Sequence, residues 1–157
     1  MMGTPDAVMT AVPWVDMAIR SLREISQTLG LGACEVLERP LTVRDEKVGA
    51  AISLEGEGVE IWLHISAHEG DLIVIARRFL KIAPGANLRM EDATDAMCEL
   101  SNMLAGGIKA GMRRRVRGLR ITLPNYGELP KPAPAAMAVI MGLGGCALHV
   151  RLTPEPQ

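Results

Sequence analysis

The sequence predicts an α+β domain: a mostly antiparallel sheet with long helices packed on one of its faces. Two long amphipathic helical patterns, two strand–turn–strand signatures and their interleaving along a chain of even composition carry that expectation. At 157 residues the chain has the length of one domain, and 48% hydrophobic against 22% charged residues excludes disorder as its main state.

Residues 1–12 hold small residues and Pro5 without a clean period, and read as a loose N-terminal arm before a single domain over 13–153. From Pro13 the pattern turns helical. Val15, Ile19, Leu22, Ile25 and Leu29 recur at three- and four-residue steps, and Gly30 and Gly32 supply a stop. A strand is expected over 34–43. A hairpin follows, in which 51–54 leads through Glu55-Gly56-Glu57-Gly58 into Val59, Ile61, Leu63 and Ile65, alternating with Glu60, Trp62 and His64. Ser66-Ala67-His68-Glu69 has the form of a capping box, with Glu69 placed to reach back to the Ser66 amide. It opens an expected helix carrying Leu72, Ile75, Phe79 and Ile82, halted by Pro84-Gly85. A second long helix is expected from Glu91 or Asp92 to about Arg115, then a strand over 117–123 ending at Pro124. A Pro-rich connection over 129–134 leads to a closing hairpin, 136–142 and 146–152 around Gly144-Gly145. In its last strand Leu148, Val150 and Leu152 alternate with His149 and Arg151.

Composition removes several function classes. Lys plus Arg number 17 against 18 for Asp plus Glu, so no global field favours a polyanion, and aromatic residues at 3% leave little for base stacking. Nucleic acid is therefore not the expected partner. No stretch offers eighteen uninterrupted apolar residues, which argues against a membrane span, and the amino terminus lacks a basic segment leading into an apolar run, so export is not indicated. Cys34, Cys98 and Cys146 are far apart and unaccompanied by a histidine cluster. They read as small apolar residues in a reducing cytoplasm, with neither a disulfide framework nor a metal site expected.

The second long helix is the most informative segment. At about 100° per residue, Ala93, Met97, Leu100, Leu104, Ile108 and Gly111 gather on one side as a core stripe. Asp95, Glu99, Asn102, Gly106, Lys109 and Arg113 fall within roughly 80° of one another on the other. Glu99 and Asn102 thus point outward together, one turn apart. A glycine within a helix costs about 1 kcal/mol relative to alanine; Gly106, on the exposed row, has no packing use in its own molecule but leaves space for another chain to come close. By itself, a Glu and an Asn three residues apart is a common solvated helix face.

The surrounding string, Asp95-Ala96-Met97-Cys98-Glu99-Leu100-Ser101-Asn102-Met103-Leu104-Ala105-Gly106-Gly107-Ile108-Lys109, resembles the signature helix of the CheX/CheC/FliY family of response-regulator phosphatases. In that family an acidic residue precedes a Glu-Leu-x-Asn-Met core, followed by a small residue, Gly and Lys. The resemblance spans roughly 13–153 and is strongest in 91–124; one such helix late in the chain is more similar to CheX than to the two-site CheC. It implies a CheX/CheC-like α+β domain that hydrolyses the phospho-aspartate of a CheY-type response regulator. Asn102 would hydrogen-bond the attacking water, and Glu99 would pair with the receiver's lysine. An amide suits the first role because it donates and accepts while staying neutral beside a phosphoryl dianion. Asp95, Gly106, Lys109 and Arg113 would meet the partner along the same row. The resemblance further implies no cofactor of the protein's own, Mg²⁺ held by the receiver, a cytoplasmic location and a homodimer joined through its sheets. A non-catalytic module docking a receiver or a flagellar-switch partner through the same helix is the competing reading.

Other features stay open. Glu24-Ile25-Ser26-Gln27, followed by Gly30 and Gly32, echoes Glu99-Leu100-Ser101-Asn102 with Gly106 and Gly107, as the trace of a duplicated site would; an amphipathic packing helix accounts for the same residues and is the preferred reading. Arg113, Arg114, Arg115, Arg117 and Arg120 suit nucleic acid, a solvated helix C-terminus or, through Lys109 and Arg113, the steering of an acidic receiver surface. His64, His68 and His149 read as scattered surface or sheet positions, and Met97, Met103 and Met112 as core and edge packing.

Overall fold

The computed structural model describes residues 11–38 and 47–155. Helix α1 (Ala11–Leu29) leads to strand β1 (Cys34–Leu37) and then to the hairpin of β2 (Val48–Gly56) and β3 (Val59–Ser66). Helices α2 (Glu69–Leu80) and α3 (Met90–Met112) follow, then β4 (Arg120–Ile121), β5 (Asn125–Glu128) and the hairpin of β6 (Met137–Leu143) and β7 (Cys146–Pro154). The seven strands form one antiparallel sheet in the order β1-β6-β7-β3-β2-β4, with β5 also on β2. The order is nearly palindromic. β1 and β4, each following a long helix, lie at opposite ends beside the other half's hairpin, with β3 and β7 paired at the centre.

The expected class is the observed one. Alternate residues of the strands (Ile52 and Leu54; Ile61, Leu63 and Ile65; Met141 and Leu143; Leu148, Val150 and Leu152) join Trp14 and Leu22 of α1, Leu72 and Ile75 of α2 and Met97, Leu100, Leu104 and Ile108 of α3 in one core. All three helices therefore share one face of the sheet. Among the described residues, no helix is long and apolar enough to cross a membrane.

Several boundaries differ from those read in the sequence. α1 takes in Ala11 and Val12, assigned above to the arm; residues 1–10 of that arm, and 39–43 of the strand expected over 34–43, lie outside the described residues. The capping box is not formed. Ser66 is held in β3 opposite His149, and the α2 N-cap is His68, without a side-chain cap bond. α2 ends before Pro84: Lys81 is left-handed (φ 56°), and the Lys81 and Ile82 amides donate to Arg78 O and Arg77 O in a Schellman-type end. α3 stops at Met112, where the ladder tightens: the Arg115 amide donates to Met112 O, three residues back, instead of to Gly111 O. The strand expected over 117–123 is split. β4 pairs with Leu54 and Glu55, while β5, not anticipated, pairs with 48–51 further along the same edge of β2. Thr122 bridges the gap, its amide donating to Ser53 O at 3.0 Å and its hydroxyl accepting the Ser53 amide at 2.9 Å.

The second face of the sheet carries polar side chains that are buried. His64, His149 and Arg151 are only 4%, 3% and 2% exposed. The chain from β5 must pass β2, β3 and β7 to reach β6, and it does so over this face, where Arg151 Nη2 donates to Pro130 O at 2.7 Å. His64 and His149 hold the sheet positions expected of them, but His64 stacks on Trp62 with ring centroids 6.1 Å apart, and His68 meets the His149 ring edge-on at 6.2 Å.

Two predictions follow from this packing. A Cβ on Gly107 would collide with Ser21 of α1, whereas one on Gly106 would meet nothing within 4 Å. Gly107→Ala is therefore expected to lower stability by about 1–3 kcal/mol and Gly106→Ala to raise it by about 0.5–1 kcal/mol, read from thermal unfolding. Burial, helped by the neighbouring Arg151 guanidinium, holds the His64 imidazole down to about 4 from its usual 6.5. Between those values the unfolded chain binds a proton that the folded chain does not, so stability falls as pH drops from 6.5 to about 4, by at most about 3 kcal/mol. Urea denaturation across that window should show a slope that His64→Gln largely removes.

Candidate functional site

α3 is a rod of 23 residues, about 34 Å long at 1.5 Å per residue. Its fixed face is apolar: Ala93, Met97, Leu100, Leu104 and Ile108 are all buried. Within Glu99-Leu100-Ser101-Asn102 the two middle residues point in, and the buried Ser101 hydroxyl is spent on Cys98 O at 2.7 Å. The two outer residues point out. Glu99 and Asn102 are exposed, and among the described residues neither side chain is engaged by a hydrogen bond or an ion pair. Asp95, Lys109 and Arg113 are exposed on the same row, and half-buried Gly106 faces open space. The structure thus brings together on one face all six residues singled out from the sequence.

The neighbouring glycines work inward. Gly107 and Gly111, one turn apart, give α1 room to lay Ser21 and Met17 against α3. Gly111, placed above in the core stripe, is itself exposed; its contribution is the missing side chain that Met17 occupies. On the other flank of the row, Cys98 is half-buried beside β5. Its thiol is pushed up by burial and by the Asp95 and Glu99 carboxylates, and the Tyr126 hydroxyl by burial and by Cys98 in turn.

The echo on α1 is similarly placed. Glu24 and Gln27 are exposed while Ile25 and Ser26 are buried. The two helices then diverge. α1 ends two residues after Gln27, with the Ser26 hydroxyl tied to Gly32 O, whereas α3 continues ten residues beyond Asn102. Glu24 and Gln27 have no row of glycine and cations beyond them.

Two features near the row were not legible in the sequence. After α3 the chain folds back, so that Val116, Arg117 and Leu119 line one groove of ≈ 560 Å³ together with Gly106, Lys109 and Arg113. β4 and β5 both contact α3, and the loop between them carries Leu123, 90% exposed. Among the described residues no three His, Cys, Asp or Glu side chains converge as metal ligands. The arrangement offers an acid, a neutral amide and cations on a rigid outward face. Such a face can position and polarise groups that another molecule supplies.

No protein-family model and no curated protein matches the sequence. Solved structures do. The chemotaxis protein CheX from Vibrio vulnificus superposes with a TM-score of 0.73 at 16% identity, over 93% of this chain and 99% of that one. The chain has the CheX fold. CheX in a complex with CheY, BeF₃ and Mg²⁺ from Borrelia burgdorferi gives a TM-score of 0.70 at 19% identity, covering 94% and 99% of the two chains. A CheC-like superfamily protein from a Shewanella species gives 0.68 at 18% identity, covering 94% and 100%. At these identities the likeness is one of fold. The CheX fold covers the described elements nearly end to end, which accounts for an expected architecture whose individual boundaries were less well placed.

The proximity of Cys98 to the acidic pair is testable. Removing a neighbouring negative charge lowers a thiol's pKa, so Glu99→Gln should speed iodoacetamide labelling of Cys98 at mildly alkaline pH by roughly threefold. Peptide mass mapping reads this out, with Cys34 as the internal reference.

Proposed function

We propose that the protein is a phosphatase that accelerates hydrolysis of the phospho-aspartate of a CheY-type response regulator, working in the cytoplasm within chemotaxis or a related two-component pathway. The observation that carries this reading is the pairing of Glu99 and Asn102: exposed, one turn apart and unpartnered on a helix whose opposite face is locked in the core. The CheX fold and the known complex of a CheX with CheY support it.

In this reading the receiver supplies the phosphoryl group, its Mg²⁺ and a lysine, and α3 supplies position. In-line attack by water on an acyl phosphate is largely a matter of orientation and charge. The Asn102 amide enters the receiver's pocket, accepts from or donates to the attacking water and adds no charge to repel the phosphoryl oxygens. Glu99 pairs with the receiver's lysine, which sets the docked register and frees the phosphoryl group for Asn102. Asp95, Gly106, Lys109 and Arg113 border the contact, with Gly106 admitting the partner's backbone. Glu24 and Gln27 stay outside this mechanism, as outward residues of a packing helix. A homodimer joined through the sheets belongs to the same reading, and sedimentation tests it.

Decay of a phosphorylated CheY-type receiver from the same genome is the deciding measurement. Asn102→Ala should cut the acceleration by about 100-fold while leaving the complex intact. Glu99→Ala should weaken the complex by about tenfold, the cost of an unpaired charge in the interface. A complex that forms without any acceleration would make the protein an adaptor, and full acceleration by both variants would remove these two residues from the site.

A further inference from the structure

From Asn102 the outward row of α3 runs on through Gly106 and Lys109 to Arg113, and the returning chain adds Val116, Arg117 and Leu119 to the lining of the same groove. Between Glu99 and Glu128 the sequence holds six cations and no Asp or Glu. Arg120 is paired with Glu55 at 3.7 Å, but among the described residues Lys109, Arg113 and Arg117 have no ion-pair partner. Favourable alignment with the helix dipole accounts for Lys109 and Arg113 at the end of α3. It does not account for Arg117, which lies beyond the helix, or for the apolar Val116 and Leu119 that line the same groove.

We infer that this groove seats an acidic segment, carrying one apolar side chain, of the same receiver that Glu99 and Asn102 engage; the partner's identity rests on the phosphatase reading above. Distance makes the contact hard to avoid. Lys109 and Arg113 lie about 10 Å and 16 Å from Asn102 along the helix axis, while a folded domain of receiver size is about 30 Å across. A receiver seated on Asn102 therefore reaches over the groove. The open wall at Gly106 is where its backbone comes closest, because no Cβ stands there. The charge pattern favours protein over nucleic acid: Asp95 and Glu99 share this face, and a uniformly anionic backbone laid along it would meet two carboxylates as well as the cations. An acidic protein segment need meet only the groove, leaving Glu99 for a lysine.

The test compares two double charge reversals in the full-length protein, titrated against a fluorescently labelled CheY-type receiver loaded with BeF₃⁻ and Mg²⁺. Arg113→Glu with Arg117→Glu alters the groove; Arg114→Glu with Arg115→Glu makes the same change in net charge outside it. The groove pair should lose about tenfold or more in affinity and most of the dependence on salt between about 50 and 200 mM, and the control pair less than about threefold. Equal losses from both pairs would show a diffuse field and overturn the inference. So would unchanged affinity in the groove pair, or failure of the wild type to bind the receiver while it binds duplex DNA through the same arginines. The phosphatase reading fails separately. If the groove pair behaves as expected while Asn102→Ala keeps full acceleration, the groove stands and the catalytic assignment falls; if the groove pair binds normally while Asn102→Ala is inactive, the reverse holds.

Discussion

The close approach of α1 to α3 is the constraint on which the rest depends. Two glycines, Gly107 and Gly111, let Ser21 and Met17 lie where side chains would otherwise stand, and the buried residues of α3 complete the seal against the sheet. A helix held along this length cannot roll. The direction of its free row is then fixed by the core, and Glu99 and Asn102 inherit that direction without needing a hydrogen bond to hold them. Glycine's cost to helix propensity is met by packing on one side and by access on the other, since Gly106 faces outward and Gly107 inward.

That division of labour changes how the site is best regarded. Most enzymes surround their reacting groups and exclude water from them. In the proposed reading the polar pair stands on an exposed helix face, and the enclosed, low-dielectric environment in which its contacts would gain strength would be the partner's. Groups around the pair can therefore act on which partner is admitted and how it is oriented. The cationic groove that begins at Gly106 and Lys109, on the same row as the pair, is the feature placed for that purpose.

How much of this the sequence disclosed depends on where the determining forces lie. The faces of α3 were legible because a helix repeats every 3.6 residues and sorts its side chains by that period alone. The two hairpins were legible for the analogous reason in strands. What escaped was set by contacts distant in sequence. Ser66 has the chemistry of a cap, yet pairing with β7 commits it to the sheet. Asn125-Tyr126-Gly127-Glu128 has no apolar alternation and is a strand only because the edge of β2 offers it a ladder. His149 and Arg151 look like surface residues until the segment after β5 crosses above them. The outward placement of Glu99 and Asn102 was written in their spacing; the roles proposed for them came from the likeness of the surrounding string to a family, which periodicity could not supply.

The palindromic order of the sheet also bears on how the chain comes together. Each half lends its outermost strand to the other's hairpin, so neither half can complete a sheet alone. The middle of the sheet needs β7, which follows the other six strands in the chain. During synthesis, β3 therefore waits with one edge unsatisfied, and the part of the core that β6 and β7 complete stays open, until β7 has left the ribosome. Such long-range closure makes for slow folding and a nascent state prone to mispairing. The order that gives this molecule its symmetry thus exposes it most during its own production.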